Sequence, residues 1–87
     1  MYLEIITPDE KVFEGEVESS IFPGSDGTFQ ILNGHAPLIS SLKAGDVKII
    51  SVVNKTPKEL HFTIDGGIVE VLNNKVVVLA ESVPEEE

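Results

Sequence analysis

Three turn signals between Pro23 and Ile49 restrict this chain to short extended segments. Pro23-Gly24 and Asp26-Gly27 open the stretch, Asn33-Gly34 interrupts it, and Ala44-Gly45-Asp46 closes it. Turn residues at that density force short strands and place polar tips at the ends of a sheet. Phe29, Ile31 and Leu32 lie between the first two turns, and His35-Ala36-Pro37-Leu38 follows the second. The remainder reads as alternating strand.

The first strand spans Met1 to Thr7, with Leu3 and Ile5 on one face and Tyr2, Glu4 and Ile6 on the other. Thr7-Pro8-Asp9-Glu10 ends it, because proline removes a ladder donor and restricts the residue before it. Lys11 to Phe13 and Glu16 to Phe22 follow as two extended pieces separated at Gly15. In the second, Val17, Ser19 and Ile21 alternate with Glu16, Glu18 and Ser20, as in a half-buried strand. Short strands are expected from Thr28 to Leu32, Leu38 to Leu42 and Gly45 to Val53. Asn54 to Lys58 is a loop by composition.

Beyond that loop, Leu60, Phe62 and Ile64 alternate with Glu59, His61 and Thr63. Asp65-Gly66-Gly67 turns the chain into Ile68 to Leu72, and Asn73-Asn74 makes a hairpin turn into Lys75 to Glu81. Val76 to Ala80 is apolar on both faces, the pattern of a strand covered on each side. No segment carries a convincing helical period. Strands about five residues long, with turn signals roughly every 8–12 residues, indicate an antiparallel β-sandwich or flattened barrel. A small sandwich has one interior, so strands apolar on both faces imply a second surface covered by a partner.

The 87 residues hold one domain, read as residues 1–82, followed by an acidic tail over 83–87. A formal net charge of -9, from 15 acidic and 6 basic residues, repels phosphate backbones and anionic lipid. Nucleic acid and direct insertion into lipid are therefore excluded as partners. The N-terminus carries no basic region followed by an apolar run, so the chain is expected to stay where it is made. No cysteine is present, which rules out disulfides and thiolate metal sites.

A search for chemistry returns nothing. The histidines are His35 and His61, neither in a ligand motif, so no metal and no cofactor is expected. His61 reads as a surface residue; His35 reads equally as a partner of loop backbone or as an interface contact. No serine sits in a nucleophile elbow. The glycine turns lack the lysine and helix of a phosphate loop. Other classes remain open at this level. A free-standing ligand-binding sandwich would want exposed aromatics for stacking, and the chain has no Trp, one Tyr and four Phe. A metal-dependent barrel enzyme is opposed by two unclustered histidines.

Gly24-Ser25-Asp26-Gly27, Gly34-His35-Ala36-Pro37-Leu38, Lys43-Ala44-Gly45 and Gly66-Gly67-Ile68-Val69-Glu70-Val71 together carry a resemblance. With Thr7-Pro8 after the first strand and Val78-Leu79-Ala80-Glu81 at the end of the last, the chain resembles the epsilon subunit of the F-type ATP synthase, called delta in mitochondria. The resemblance implies a flattened antiparallel sandwich of about ten short strands. It also implies a non-catalytic rotor-stalk subunit that joins the gamma subunit to the c-subunit ring, peripheral on the cytoplasmic side of a bacterial membrane.

Carried over by position, Ser25, Asp26, Gly27 and Thr28 are expected to touch the ring loops. His35, Leu38, Ser40 and Val77 are expected to look toward gamma, with Gly24, Gly34, Pro37, Gly45, Gly66 and Gly67 shaping the turns. Longer members continue into a C-terminal helical hairpin. This chain stops at Glu87, so that hairpin, and inhibition by it, are not expected.

Overall fold

A computed structural model of the chain describes residues 1–83. Eight strands follow in order: β1 (Tyr2–Ile6), β2 (Lys11–Gly24), β3 (Gly27–Leu32), β4 (Leu38–Leu42), β5 (Gly45–Val53), β6 (Thr56–Ile64), β7 (Gly67–Leu72) and β8 (Lys75–Ala80). Among the described residues there is no helix. The expected Glu85 to Glu87 portion of the tail lies outside the described residues, whereas Val83 is half-buried against the core.

The strands form a single sheet folded into two layers. One layer runs β4-β7-β8-β1 and the other β6-β5-β2-β3. β2 belongs to both: its first half pairs with β1, and its second half lies between β3 and β5. The fold is the sandwich expected, with corrections of detail. Among the described residues there are eight strands rather than about ten. One is a continuous 14-residue β2, which passes through Gly15 because Gly15 pairs with Leu3 in the ladder. The pairing is antiparallel except between β1 and β8, which run parallel.

The alternation in β2 changes phase. Phe13 and Val17 face inward in the first half, but in the second the buried positions are Ser20 and Phe22. A β-bulge between Val17 and Ser19 is the cause, since Val17 pairs with Ser51 while Ser19 already pairs with Ile50. The extra residue turns every later side chain to the opposite face. Ser19 and Ile21, expected beside Val17, therefore point outward.

Ser20 sits fully buried in the core among β3 and β5 partners, and its hydroxyl has no hydrogen-bond partner. An unpaired buried hydroxyl costs stability. Ser20→Ala is therefore expected to leave stability unchanged or raise it by up to about 1 kcal/mol, read by urea unfolding. A loss of more than that would show that the hydroxyl has a partner after all.

Asn54 to Lys58 is not a loop. Asn54 and Lys55 alone make the turn, with φ of 51° and 64°, and Thr56 already pairs with Val53. The Asn73-Asn74 turn repeats that geometry, with φ of 50° and 60°. Both are two-residue hairpins in the left-handed conformation that matches strand twist.

The core lies between the layers. Leu3, Ile5, Val69, Val71, Val76 and Val78 meet Phe22, Ile31, Val47, Ile49 and Ile64 across it. Phe13, where β2 crosses between layers, packs on Phe62 of β6 at 5.7 Å between ring centroids.

Candidate functional site

The β4-β7-β8-β1 layer has an outer face that solvent does not suit. Ladder register places Ile68 of β7 beside Leu79 of β8, and Leu79 beside Ile6 of β1. In the next row Ile39 of β4 meets Glu70 of β7, which meets Val77 of β8, which meets Glu4 of β1. Ile39 is 70% exposed, Leu79 53%, Leu72 51% and Ile68 46%. Ile68 and Leu79 pair directly, whereas Ile39 pairs with Glu70 and Leu72 with Lys75, so these two join the group along the diagonal. Exposed apolar side chains grouped in this way mark an interaction surface.

Two shallow apolar hollows flank it. One of about 390 Å³ is lined by Pro37, Leu38, Ile39, Glu70, Val71 and Leu72. The other, of about 290 Å³, is lined by Ile6, Thr7, Pro8, Leu79 and Ala80.

Polar anchors close one side of this face. Glu4 is nearly buried and receives Lys11 at 3.2 Å and Lys75 at 3.0 Å. The two ammonium groups, Lys75 first, hold its carboxyl below the usual range. Tyr2 donates its hydroxyl to Glu14, and the Lys75 ammonium lies 5.9 Å from the Tyr2 ring centroid.

The residues expected to face a partner divide between locations. Val77 is on the outer face, half-buried. Leu38 and Ser40 are on the inner side of β4, where Leu38 packs against the core. Alternation along β4 gives the outward position to Ile39, which sequence reading passed over. Ile68 and Leu79 were missed too. For Leu79 the signal was the two-sided apolar pattern of Val76 to Ala80, which marked the strand without singling out the residue.

Ser25, Asp26, Gly27 and Thr28 form the exposed tip of the β2–β3 hairpin at one end of the sandwich. Gly24 pairs with Gly27 beneath the tip, and a Cβ on Gly24 would stand 2.6 Å from the Gly27 carbonyl oxygen. The Ser25 backbone donates to the Ser41 carbonyl at 3.1 Å, and Lys43 N–H donates to the Pro23 carbonyl at 2.9 Å. These bonds fix the tip beside the β4–β5 turn, in which Gly45 packs tightly on Pro23.

Gly66 and Gly67 turn the chain at the same end, with φ of 125° and 149°. Asp9, Glu10, Asp65 and Glu81 are exposed there as well, around Thr7 and Ser82. That end carries an excess of carboxylates.

His35 lies at the opposite end, together with Asn33, Gly34 and the Asn73-Asn74 turn. Gly34, at φ 76°, donates its N–H to the Asn74 side chain at 2.9 Å. The His35 ring donates from Nδ1 to the adjacent Ala36 carbonyl at 2.7 Å, the backbone contact considered for it. Pro37 then starts the approach to β4 and borders the larger hollow. The positions expected to touch the ring thus sit together at one end, while those expected to look toward gamma are spread over the opposite end, the inner side of β4 and the outer face of β8.

His61 is on the outer face of the other layer, exposed as expected. Its Nδ1 lies 2.7 Å from Asp46 and its Nε2 2.5 Å from Glu59, which also pairs with Lys48 at 3.3 Å. Both nitrogens can donate only in the imidazolium form, and Asp46 followed by Glu59 raises the His61 pKa above its ordinary value. A raised folded-state pKa adds stability that is full below about pH 6.5 and is lost as pH rises through the folded value. The gap in unfolding midpoint between wild type and His61→Gln should therefore be widest at acid pH and narrow as pH rises. A gap that stays constant with pH would contradict this. Among the described residues no group of His, Asp and Glu is arranged to hold a metal ion.

The sequence pattern of the ATP synthase delta/epsilon chain beta-sandwich domain matches residues 1–86. The chain belongs to the ATP synthase delta/epsilon family. An ATP synthase epsilon chain from Chlorobium limicola is 49% identical over 81 residues, covering 93% of this chain and 89% of the relative. Another, from Desulforamulus reducens, is 39% identical and is matched over 58% of its length. The family fold is equally plain in structure. A chain in the cryo-EM structure of the Tetrahymena thermophila mitochondrial ATP synthase central stalk and c-ring superposes with a TM-score of 0.78 at 18% identity. It covers 97% of this chain and 65% of that one. A chain of the Euglena gracilis mitochondrial ATP synthase gives 0.82 at 20% identity, covering 94% of this chain and 51% of that one.

Proposed function

We propose that this chain is a non-catalytic subunit of the central stalk of a proton-translocating F-type ATP synthase, joining the gamma subunit to the c-subunit ring. In this role it is peripheral to the membrane, on its cytoplasmic side. The observation that carries the reading is the outer face of the β4-β7-β8-β1 layer, where Ile39, Ile68, Leu72 and Leu79 stand exposed on the same side of the sheet. A soluble sandwich gains by covering such a face, and gamma is its owner. The family membership and the epsilon-chain relatives support the same role.

The mechanism is mechanical. A close-packed two-layer sandwich has low compressibility and transmits strain with little loss. With one face fixed to gamma and the acidic Ser25–Thr28 end on the ring loops, it acts as a stiff wedge between ring and shaft. Asp26 pairs with basic residues of the ring loops, and as a rim charge it sets orientation more than affinity.

The test is assembly with purified gamma and ring from the same source. Wild type is expected to join both, and Asp26→Lys to join gamma normally but the ring more weakly, by about 0.2–1 kcal/mol. Equal ring binding by Asp26→Lys would remove the pairing, and failure of wild type to bind gamma would remove the stalk role.

A further inference from the structure

Two carboxylates share one register row on the apolar outer face, and they are treated differently. Glu4 is held by Lys11 and Lys75 at 3.2 and 3.0 Å. Glu70 has no ion pair or side-chain hydrogen bond with any described residue. Yet it is the carboxylate ringed by apolar side chains: Ile39 and Val77 lie beside it on the neighbouring strands, and Ile68 and Leu72 lie two residues away on the same face of β7. It also forms part of the wall of the hollow of about 390 Å³.

Left free, an exposed carboxylate costs nothing. Covered by a partner, it loses its water, and an unpaired buried charge is strongly unfavourable. A partner that buries these four apolar neighbours buries Glu70 with them, and Lys75, which lies diagonal to Glu70 across the Leu72–Lys75 pair, is already held by Glu4 at 3.0 Å. The covering surface must therefore bring a cation. The hollow beside Glu70 suits a long side chain whose methylenes lie on apolar walls while its charged head reaches a carboxylate.

We propose that Glu70 is the polar anchor of this docking face and receives an arginine or lysine of the stalk subunit that covers it, with the stem of that side chain lying in the Pro37–Leu72 hollow. The inference rests on the reading that gamma covers the face, and it adds the chemistry of the contact. Shape and apolar area allow many registers; one charge pair set among apolar contacts selects one. Glu70 thus fixes how the sandwich is rotated on the shaft.

Equilibrium binding of purified wild type, Glu70→Gln and Glu70→Lys to the gamma subunit of the same source tests it. Glu70→Gln is expected to bind roughly 10–100-fold more weakly and Glu70→Lys more weakly still. Both should unfold at the wild-type temperature, because Glu70 is exposed. In a scan of lysine and arginine reversals on gamma, one reversal to glutamate should restore Glu70→Lys. Binding of Glu70→Gln as tight as wild type, or tighter, overturns the anchor and leaves the docking face standing. Failure of wild type to bind gamma overturns the docking reading and the anchor together.

Discussion

Ile68→Lys is expected to weaken binding to the gamma subunit by about a hundredfold, roughly 2.7 kcal/mol, while leaving the fold intact. Ile68 stands in the end row of the exposed apolar face, between Ser41 of β4 and Leu79 of β8 in the ladder. At 46% exposure it leaves room for a lysine to reach water in the free protein, so the unfolding midpoint should barely move. In the complex that ammonium would be pressed against an apolar surface, where desolvation is costly. Thr63→Lys on the outer face of the other layer is the control, because Thr63 is exposed on β6 away from this surface. Equal losses for both would mean that net charge governs association rather than a specific face.

Gly67→Ala should be the most destabilising small substitution in the chain. Gly67 has φ of 149°, and a Cβ there would stand 2.2 Å from the Leu79 carbonyl oxygen and 3.0 Å from the Ala80 Cα. Neither obstacle is a flexible side chain, so β7 and β8 would have to part where Gly67 pairs with Ala80. Backbone strain and a broken ladder end together are expected to cost about 3 kcal/mol or more. For a domain of this size that lowers the melting temperature by roughly 15 °C, read by thermal unfolding. Gly34→Ala gives the contrast. Its φ is 76°, but nothing lies within 4 Å of the added Cβ, so the cost should be the left-handed penalty alone, about 1–2 kcal/mol. A Gly67→Ala protein as stable as Gly34→Ala would refute the packing argument.

What was legible in the sequence followed from local chemistry. Leu38 to Leu42 coincides with β4, and the Asn73-Asn74 turn has the left-handed backbone that asparagine tolerates. What was not legible depends on distant pairing. The bulge at Val17–Ser19 inverts the faces of β2, yet no residue there announces it, because its cause is the register of β5 across the ladder. The parallel β1–β8 pair joins strands at opposite ends of the chain. Lys55 in a left-handed turn is uncommon enough that composition alone suggests a longer loop.

The exposed apolar face was legible as an excess and not as a place. Apolar residues on both sides of Val76 to Ala80 implied a second covered surface, but assigning it needed the phase of β4, which sends Leu38 inward and Ile39 outward. The resemblance named Leu38 and Ser40 on β4, and alternation along that strand turns Ile39 and Ser41 outward instead. A tertiary pleat, not residue type, separates the two.

If gamma covers the β4-β7-β8-β1 face, cysteine labelling will register the cover residue by residue. The chain has no cysteine, so single cysteines in place of Ile68 and Thr63 give one reporter on each outer face. Maleimide should react with both in the free protein. Bound gamma should strongly slow the reaction at Ile68→Cys and leave Thr63→Cys unchanged. Undiminished labelling at Ile68→Cys in a complex that holds gamma would contradict the account.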